Sequence, residues 1–314
     1  MLGFRFVHVL FALGAGLLPA GRAAAAPILE YRFDGTGTSA ASTGTNTTPL
    51  LFLNAAGVAA DLHGAPGSGV TGGLGLATSA TDRAFDNSAA TAMGNIGTGG
   101  LATHAADLDA IDGFTSFTLS GWFRTAGTAP YNGFARLFVN RNATNGFHLL
   151  AGDVGGEMRP AVDANEAADV AGWADTQTWV FFAMTYNGTL TSNNVNLYKG
   201  YRNSAEAGGS PNVSLVSTIT INSGPVGNDT AVLQVGNRTA RDRPFDGFLD
   251  NFRIHGTQTA NDASGALTLA QLEAIRFADM NPIPEASPAW LLTLAAAAAL
   301  MVHPFRRAAA PTRR

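Results

Sequence analysis

The chain reads FTSFTLSGWF from Phe114 to Phe123, and the apolar residues alternate along this stretch. Successive side chains of a β-strand point to opposite faces. One face would carry Phe117, Leu119, Gly121 and Phe123, and the other Thr118, Ser120 and Trp122. The stretch therefore predicts a half-buried strand, and its motif places Trp122 in the core.

Short segments of the same kind follow: FARLFVN, GFHLLAG, TWVFFAMTYN, NVNLYKG, VSLVSTITI, AVLQVG and GFLDNFRIH. Asn-Gly, Gly-Gly and Ser-Gly-Pro turns separate them. Many short strands with turn signals and no helical period predict an all-β fold, an antiparallel two-sheet jelly-roll sandwich. TWVFFAMTYN is apolar on both faces, which predicts a central strand, with Trp179 in the core.

One short helix is predicted after the last strand. TLAQLEAIRFADM begins with Thr268 and has Gln271 three residues later, which is a capping box. Leu269, Leu272 and Ile275 form one apolar stripe along it. By contrast, residues 35–113 are rich in Gly, Ala, Ser and Thr with weak periodicity, which predicts mostly loops.

Residues 1–25 have the layout of a secretory signal peptide, with Arg5, an apolar stretch and small residues before Pro27. Cleavage after Ala25 is favoured, since it leaves Ala23 at the −3 position. We therefore expect export across the inner membrane. An uncleaved N-terminal anchor is the alternative.

Residues 280–314 combine Pro284 and Glu285, an apolar run and a basic end with Arg306 and Arg307. The run predicts a terminal apolar helix over 289–305. Its best part, from Ala289 to Val302, would be about 21 Å long against about 30 Å of bilayer hydrocarbon. We interpret the tail as a sorting signal that meets the membrane transiently; a plain C-terminal anchor is the alternative.

Charge and cysteine content exclude several classes of function. Without residues 1–25 and 282–314, the chain has 13 basic and 22 acidic residues, a net charge of −9. Lys199 is the single lysine. This composition offers no electrostatic footprint for nucleic acid. With no cysteine, the chain has no thiolate nucleophile and no cysteine metal site.

A resemblance to a known superfamily is carried by four segments that follow one another in order: SFTLSGWFR (116–124), WVFFAMTYNGT with NVNLYKG (179–200), LQVGNRTARDRPFDGFLDNFRIHG (233–256) and LTLAQLEAI (267–275). Together they resemble the laminin-G-like, concanavalin A-like jelly-roll superfamily over residues 114–276. YRFDG (31–35) is similar to the first strand of that fold, which implies pairing with the last strand. The superfamily includes lectins, adhesion modules, glycosidases and lyases.

The tail resembles the PEP-CTERM signal of Gram-negative bacteria, although Ala286 stands where a second proline is common. This resemblance implies processing by an exosortase-type enzyme. It also implies a location at the cell surface or in the extracellular matrix, in association with exopolysaccharide.

Some members of the jelly-roll superfamily bind calcium where the first and last strands meet. The resemblance implies that Asp34 and Asp250 would supply carboxylates to a structural Ca²⁺ ion. Asn251 follows Asp250 where a second acid is usual, which removes one possible charge. The alternative is that Asp250 accepts hydrogen bonds from loop backbone or pairs with Arg253 or Arg243.

Catalytic motifs are missing from the sequence. The chain has no Glu-x-Asp-x-x-Glu string, no His-Glu-x-x-His and no Gly-x-Ser-x-Gly elbow. Its densest acidic stretch, residues 163–175, shows no strand period. We therefore expect a protein that is not an enzyme.

Glycan binding would need aromatic platforms with polar neighbours. Trp173 and Tyr131 lie in polar loops and are the candidate platforms, with Arg141 and Asn140 as polar partners. The alternatives are that these rings cap the sandwich edges and that the Asn-rich turn closes a hairpin.

These observations predict an exported cell-surface or matrix protein whose domain, residues 26–279, is lectin-like and binds glycan or exopolysaccharide or mediates adhesion. A glycoside hydrolase or polysaccharide lyase of the same fold is one alternative. A structural matrix protein without a specific ligand is the other.

Overall fold

The computed structural model describes residues 25–71, 81–89, 99–221 and 224–280. The predicted signal peptide up to residue 24 and the predicted sorting tail from residue 281 lie outside the described residues. The residues of the predicted sorting motif and the predicted apolar helix are thus also outside the described residues: Pro284, Glu285, Arg306, Arg307 and the helix over 289–305. Of the helices that are described, none is both long and apolar enough to cross a membrane.

The described strands are β1 (Leu29–Tyr31), β2 (Ser39–Ala40), β3 (Leu50–Leu53), β4 (Phe85–Asp86), β5 (Leu101–Thr103), β6 (Ser116–Thr125), β7 (Arg136–Arg141), β8 (Gly146–Leu150), β9 (Glu157–Val162), β10 (Asn165–Glu166), β11 (Val170–Ala171), β12 (Val180–Asn187), β13 (Val195–Tyr201), β14 (Ser214–Ile219), β15 (Gln234–Val235) and β16 (Gly247–Thr257). The helices are α1 (Ser204–Ala207) and α2 (Leu269–Met280).

The strands form two antiparallel sheets. The seven-stranded sheet has the order β1-β16-β6-β12-β13-β14, with β4 added to β16, and the nine-stranded sheet has the order β10-β9-β8-β7-β15-β5-β3-β2, with β11 added to β9. This confirms the predicted all-β sandwich. β1 pairs with β16 as expected for the first and last strands, and β12 lies between β6 and β13, where both of its faces are buried.

Aromatic side chains join the two sheets. The rings of Phe138 on β7 and Phe252 on β16 have centroids 4.3 Å apart, and Phe182 on β12 lies 5.6 Å from Phe252. All three are fully buried. Aromatic pairs at these spacings add to the free energy of burial. The interior is therefore held by residues from both sheets.

A second apolar cluster covers the outer face of the seven-stranded sheet. Trp122 and Trp179 are fully buried there, beneath Leu272 of α2 and beside Val70. This confirms both tryptophans as core residues. The capping box is also present, since Thr268 N donates to Gln271 Oε1 (2.9 Å) and Gln271 N to Thr268 Oγ1 (3.4 Å). Leu269 departs from the predicted stripe and is 45% exposed.

Residues 35–113 contain four strands where mostly loops were predicted. β2, β3, β4 and β5 have two to four residues each. Alternation needs at least four or five residues to stand out, so strands this short carry no visible period. Their partners in the sheets define them.

A buried ion network ties the two ends of the domain to β16. The Arg253 guanidinium bonds Glu30 Oε1 on β1 (2.8 Å) and Asp279 Oδ1 on α2 (2.6 Å). Asp279 also accepts a hydrogen bond from Trp122 Nε1 (2.8 Å). The three charged residues are each less than 10% exposed. Removing one partner of such a pair leaves a buried charge uncompensated.

We predict that Asp279→Ala lowers the free energy of unfolding by about 3–5 kcal/mol. Arg253 would keep Glu30 as its one acidic partner, and Trp122 would lose its hydrogen-bond acceptor. Urea denaturation of the full-length protein measures this. The control is Asp153→Ala. Asp153 is a surface partner of Arg159 and its own side chain is 65% exposed, so the substitution should lower the free energy of unfolding by less than about 1 kcal/mol. Equal losses in the two variants would show that the network is not stabilising.

Candidate functional site

The register of the nine-stranded sheet places a row of side chains on its outer face. Gln234 lies opposite Val139, Val139 opposite His148, His148 opposite Ala161 and Ala161 opposite Glu166. The neighbours of His148 in sequence, Phe147 and Leu149, belong to the core between the sheets. Since side chains alternate along a strand, the row faces away from the core.

His148 and Glu166 meet across Ala161. Opposite residues on neighbouring strands have Cβ atoms about 5 Å apart, and the methyl group of Ala161 leaves room above it. Nε2 of His148 lies 2.9 Å from Oε1 of Glu166. The ring is not aligned for a hydrogen bond to that oxygen, so we treat the contact as electrostatic.

Three arginines surround this row. Arg136 shares a face with Val139 because the strand register shifts between Arg136 and Phe138, as at a β-bulge. Arg141 lies two residues after Val139, and Arg238 lies in the loop after β15. The row and the arginines enclose a cleft of about 520 Å³. Its lining residues are Arg136, Val139, Arg141, His148, Glu166, Gln234, Arg238, Thr239 and Ala240.

The environment fixes the charges of His148 and Glu166. Burial lowers the pKa of His148 to about 4, so its imidazole is neutral at neutral pH. The contact with His148, helped by the charges of Arg141 and Arg159, lowers the pKa of Glu166 to about 2. The cleft thus holds one ionised carboxylate, which is partly exposed.

The guanidinium groups differ in their partners. Arg238 pairs with Asp242 (Nη2 to Oδ2, 2.6 Å), and Arg141 donates from Nε to the carbonyl oxygen of Asp163 (2.6 Å). Arg136 donates from Nη1 to the carbonyl oxygen of Phe134 (3.1 Å). Burial, followed by the charges of Arg238 and Arg243, lowers the pKa of Arg136 to about 10.

Trp173 and Tyr131 are each only 1% exposed, so the prediction of exposed aromatic platforms was wrong. Trp173 lies two residues after β11, which pairs with β9. Its backbone N–H donates to the carbonyl oxygen of Gly156 (3.0 Å), so the segment stays against the sheet and the ring is buried. The Tyr131 hydroxyl donates to the carbonyl of Glu157 (2.9 Å). Polar neighbours in sequence did not mean exposure.

The predicted polar partners separate. Asn140 is fully buried, and its Nδ2 donates to Asp229 Oδ2 (3.2 Å). Its proposed contact with a glycan was therefore wrong, because it alternates with Val139 and Arg141 and faces inward. Arg141 lines the cleft, and its part in ligand binding stays a prediction.

Asp34, Asp82 and Asp250 interact as one acidic group, and calcium binding by Asp34 and Asp250 stays a prediction. The carboxyl groups of Asp34 and Asp82 are hydrogen-bonded to each other, and both charges act on Asp250. Asp250 accepts hydrogen bonds from the backbone N–H of Val70 (2.8 Å) and of Asn251 (2.7 Å). The alternative that Asp250 accepts hydrogen bonds from backbone N–H groups is therefore met at these two bonds. Arg253 does not pair with Asp250, because it pairs with Glu30 and Asp279.

Two acids of this cluster, Asp34 and Asp250, have raised pKa values. Burial first, then the hydrogen bond and charge of Asp82, raise the pKa of Asp34 to about 7. Burial raises the pKa of Asp250 well above its ordinary value. Asn251, at a φ of 49° beside a register shift in β16, bends the strand at this point. Oxygen-rich, cation-poor surroundings of this kind suit a hard divalent cation.

A second acidic group was missed by the sequence analysis. Oxygens of Asp107, Asp109 and Asp112, in the run DLDAID, all lie within 4.8 Å of one another. The three carboxylates of Asp34, Asp82 and Asp250 are not so closely gathered. A test of metal binding has to separate the two groups.

His148, Glu166 and Arg136 were also missed as cleft residues. His148 interrupts an apolar run at alternate spacing in GFHLLAG, which was a visible signal of a polar outer face. Glu166 and Gln234 join the row only through strand register, which no local pattern reveals.

Two solved structures illustrate the likeness to known folds. Domain 4 of AbnA, a GH43 extracellular arabinanase from Geobacillus stearothermophilus solved with arabinotriose, is 15% identical; the match covers 81% of this chain and 99% of that domain, with a TM-score of 0.48. The binding domain of botulinum neurotoxin DC in complex with SialylT is 12% identical, with 82% and 52% covered and a TM-score of 0.49. The chain thus spans about half of the toxin domain. These likenesses concern the fold alone.

No curated protein matches the sequence. The laminin-G family model described as the concanavalin A-like lectin/glucanases superfamily matches residues 95–262, more than half of the chain. The matched residues include β5 to β16, and thus most of the strands of both sheets. The chain belongs to the concanavalin A-like lectin/glucanases superfamily.

Proposed function

We propose that this protein is a glycan-binding module whose ligand occupies the cleft on the outer face of the nine-stranded sheet. The observation that carries the proposal is the cleft itself: about 520 Å³, lined by hydrogen-bonding side chains that rigid strands hold in register. Membership of a superfamily of lectins and glucanases supports it. An extended saccharide would lie across the strands and contact several of these groups.

Binding is favoured over hydrolysis or elimination. A glycoside hydrolase needs two carboxyl groups about 5–10 Å apart across the scissile bond. Of the residues that line the cleft, Glu166 alone carries a carboxyl group. A purely structural matrix role remains the alternative, and it predicts no saccharide binding at all.

We further propose that the protein acts outside the cell, at the surface or in the matrix of a Gram-negative-type bacterium. The support is the signal-peptide pattern of residues 1–25 and the PEP-CTERM-like tail. Processing by an exosortase-type enzyme, with transient contact of the tail with the membrane, belongs to the same proposal.

We predict that Thr239→Trp weakens binding to a panel of polysaccharides at least about tenfold, because an exposed cleft residue gains a side chain that fills the ligand space. Affinity electrophoresis of the full-length protein measures it. Thr259→Trp is the matched control, since Thr259 is exposed in another loop, and it should bind like the wild type. Equal binding by both variants would move the site away from the cleft.

We also propose that Asp34, Asp82 and Asp250 hold a structural Ca²⁺ ion between the first and last strands. The support is the convergence of three carboxyl groups, two of which, on Asp34 and Asp250, bind protons more readily than usual because their pKa values are raised, with no arginine among the largest influences on Asp250. A divalent cation would replace those protons and draw the carboxylates together.

Calcium at about 100 times its dissociation constant should raise the melting temperature by about 5–10 °C, measured against EDTA. Asp250→Asn should abolish the shift, because it removes a carboxylate of the cluster. Asp112→Asn, the control for the other acidic group, should keep it. A shift that survives Asp250→Asn but not Asp112→Asn would assign the ion to the Asp107–Asp112 segment instead.

The calcium affinity should also depend on pH. Asp34 has a pKa of about 7, so below that value Ca²⁺ must displace a proton before it binds, and the affinity should fall as the pH is lowered from about 8 to about 5.5. Calorimetry at the two pH values measures the effect and the protons released. An unchanged affinity would mean that Asp34 is not a ligand.

A further inference from the structure

We propose that the ligand of the cleft is an acidic glycan, one whose sugars carry carboxylate or sulfate groups, and that Arg136 is the residue that selects it. This inference deepens the proposed glycan-binding function and rests on it. The anion would lie on the outer face of the nine-stranded sheet, among the guanidinium groups of Arg136, Arg141 and Arg238.

The balance of charge at the cleft is positive. Arg136, Arg141 and Arg238 line it, and Glu166 is the one carboxylate among the lining residues. Glu166 lies 3.8 Å from Arg141, and Asp242 pairs with Arg238 from outside the lining. His148 is neutral and adds no charge at neutral pH. These three guanidinium groups and two carboxylates leave a surplus of one positive charge, that of Arg136.

Arg136 carries the argument furthest. Within the described chain it makes no ion pair, and the hydrogen bond from its Nη1 goes to a neutral carbonyl, that of Phe134. A buried or half-buried cation without a counter-ion is costly. Here Arg238 and Arg243 repel it, while Glu166 and Asp242 attract it without pairing with it. A carboxylate or sulfate is the group that would satisfy it, since guanidinium binds both in a bidentate geometry.

His148 is occupied by its neighbours in the cleft. Nη1 of Arg141 approaches its Nδ1 at 3.5 Å. A guanidinium can only donate, so Nδ1 is the acceptor and the imidazole proton lies on Nε2. Nε2 lies 2.9 Å from Oε1 of Glu166, so the carboxylate already occupies that side of the ring and the arginines are the groups left to meet an anion.

The lining residues include no phenylalanine, tyrosine or tryptophan, so sugar faces have no broad ring to stack on there. Charge and hydrogen bonding are what the cleft offers. The remainder of the domain is acidic, with a net charge of −9 for residues 26–281. An acidic polymer is therefore repelled by the domain as a whole and attracted by this cleft, which makes the site of its binding easy to identify by mutation.

The test compares polygalacturonate, dextran sulfate and uncharged dextran on the full-length protein at low and at high salt. We expect binding to one or both acidic polymers that weakens as salt is added. Which acidic polymer binds better decides between carboxylate and sulfate. Arg136→Gln should weaken that binding about tenfold or more, and Arg136→Lys should retain the salt dependence. Arg202→Gln, at an arginine paired with Glu206 outside the lining of the cleft, should leave it unchanged.

Tighter binding of the uncharged polymer, or acidic binding that Arg136→Gln leaves intact, would overturn this inference while the glycan-binding function stands. Binding of none of the three by a folded protein would overturn the inference. If a broad panel of neutral glycans also fails to bind, the proposed function falls with it. An unchanged urea midpoint for Arg136→Gln shows that its effect is not unfolding.

Discussion

The seven-stranded sheet is buried on both faces, and the rest of the architecture depends on this constraint. One face packs on the nine-stranded sheet through Phe138, Phe182 and Phe252. The other is covered by α2 and by the segment that contains Val70. Every polar group on the covered face must find its partner inside, which accounts for the network of Arg253 and for the bonds of Asp250. In the described part of the chain, the outer face of the nine-stranded sheet instead carries the cleft lined by Arg136, Arg141 and Arg238, where polar side chains are accessible.

The alternation of apolar and polar residues in the sequence predicted the long strands, but it did not predict most of the short ones. FTSFTLSGWF and TWVFFAMTYN became β6 and β12 because each has at least eight residues in one sheet and alternates or is apolar throughout. β4, β10 and β15 have two residues each, and only their distant partners make them strands. The same reasoning explains the site. The family resemblance pointed to Asp34 and Asp250 but not to Asp82, which joins them from a distant loop. The row from Gln234 to Glu166 depends on the register of five strands, which no local pattern reveals.

The errors at Trp173, Tyr131 and Asn140 have one physical origin. Each lies in a polar stretch of sequence, but a polar neighbour only shows that the backbone passes near water. Backbone bonds to Gly156 and the pairing of β11 turn Trp173 inward, and alternation along β7 turns Asn140 toward Asp229. The result is a cleft lined by guanidinium, imidazole and amide groups. In the proposed function, such groups would read the charge and the hydroxyl positions of a glycan more sharply than a stacking platform would.

The placement of α2 also sets an orientation. The helix packs on the covered face of the seven-stranded sheet and ends at Met280, while the cleft opens on the opposite side of the sandwich. A support attached close to Met280 would therefore lie on the side of the sandwich away from the cleft. In the proposed function, Arg136, Arg141 and Arg238 would then face the surrounding medium, and a long polymer could cross them without bending around the point of attachment.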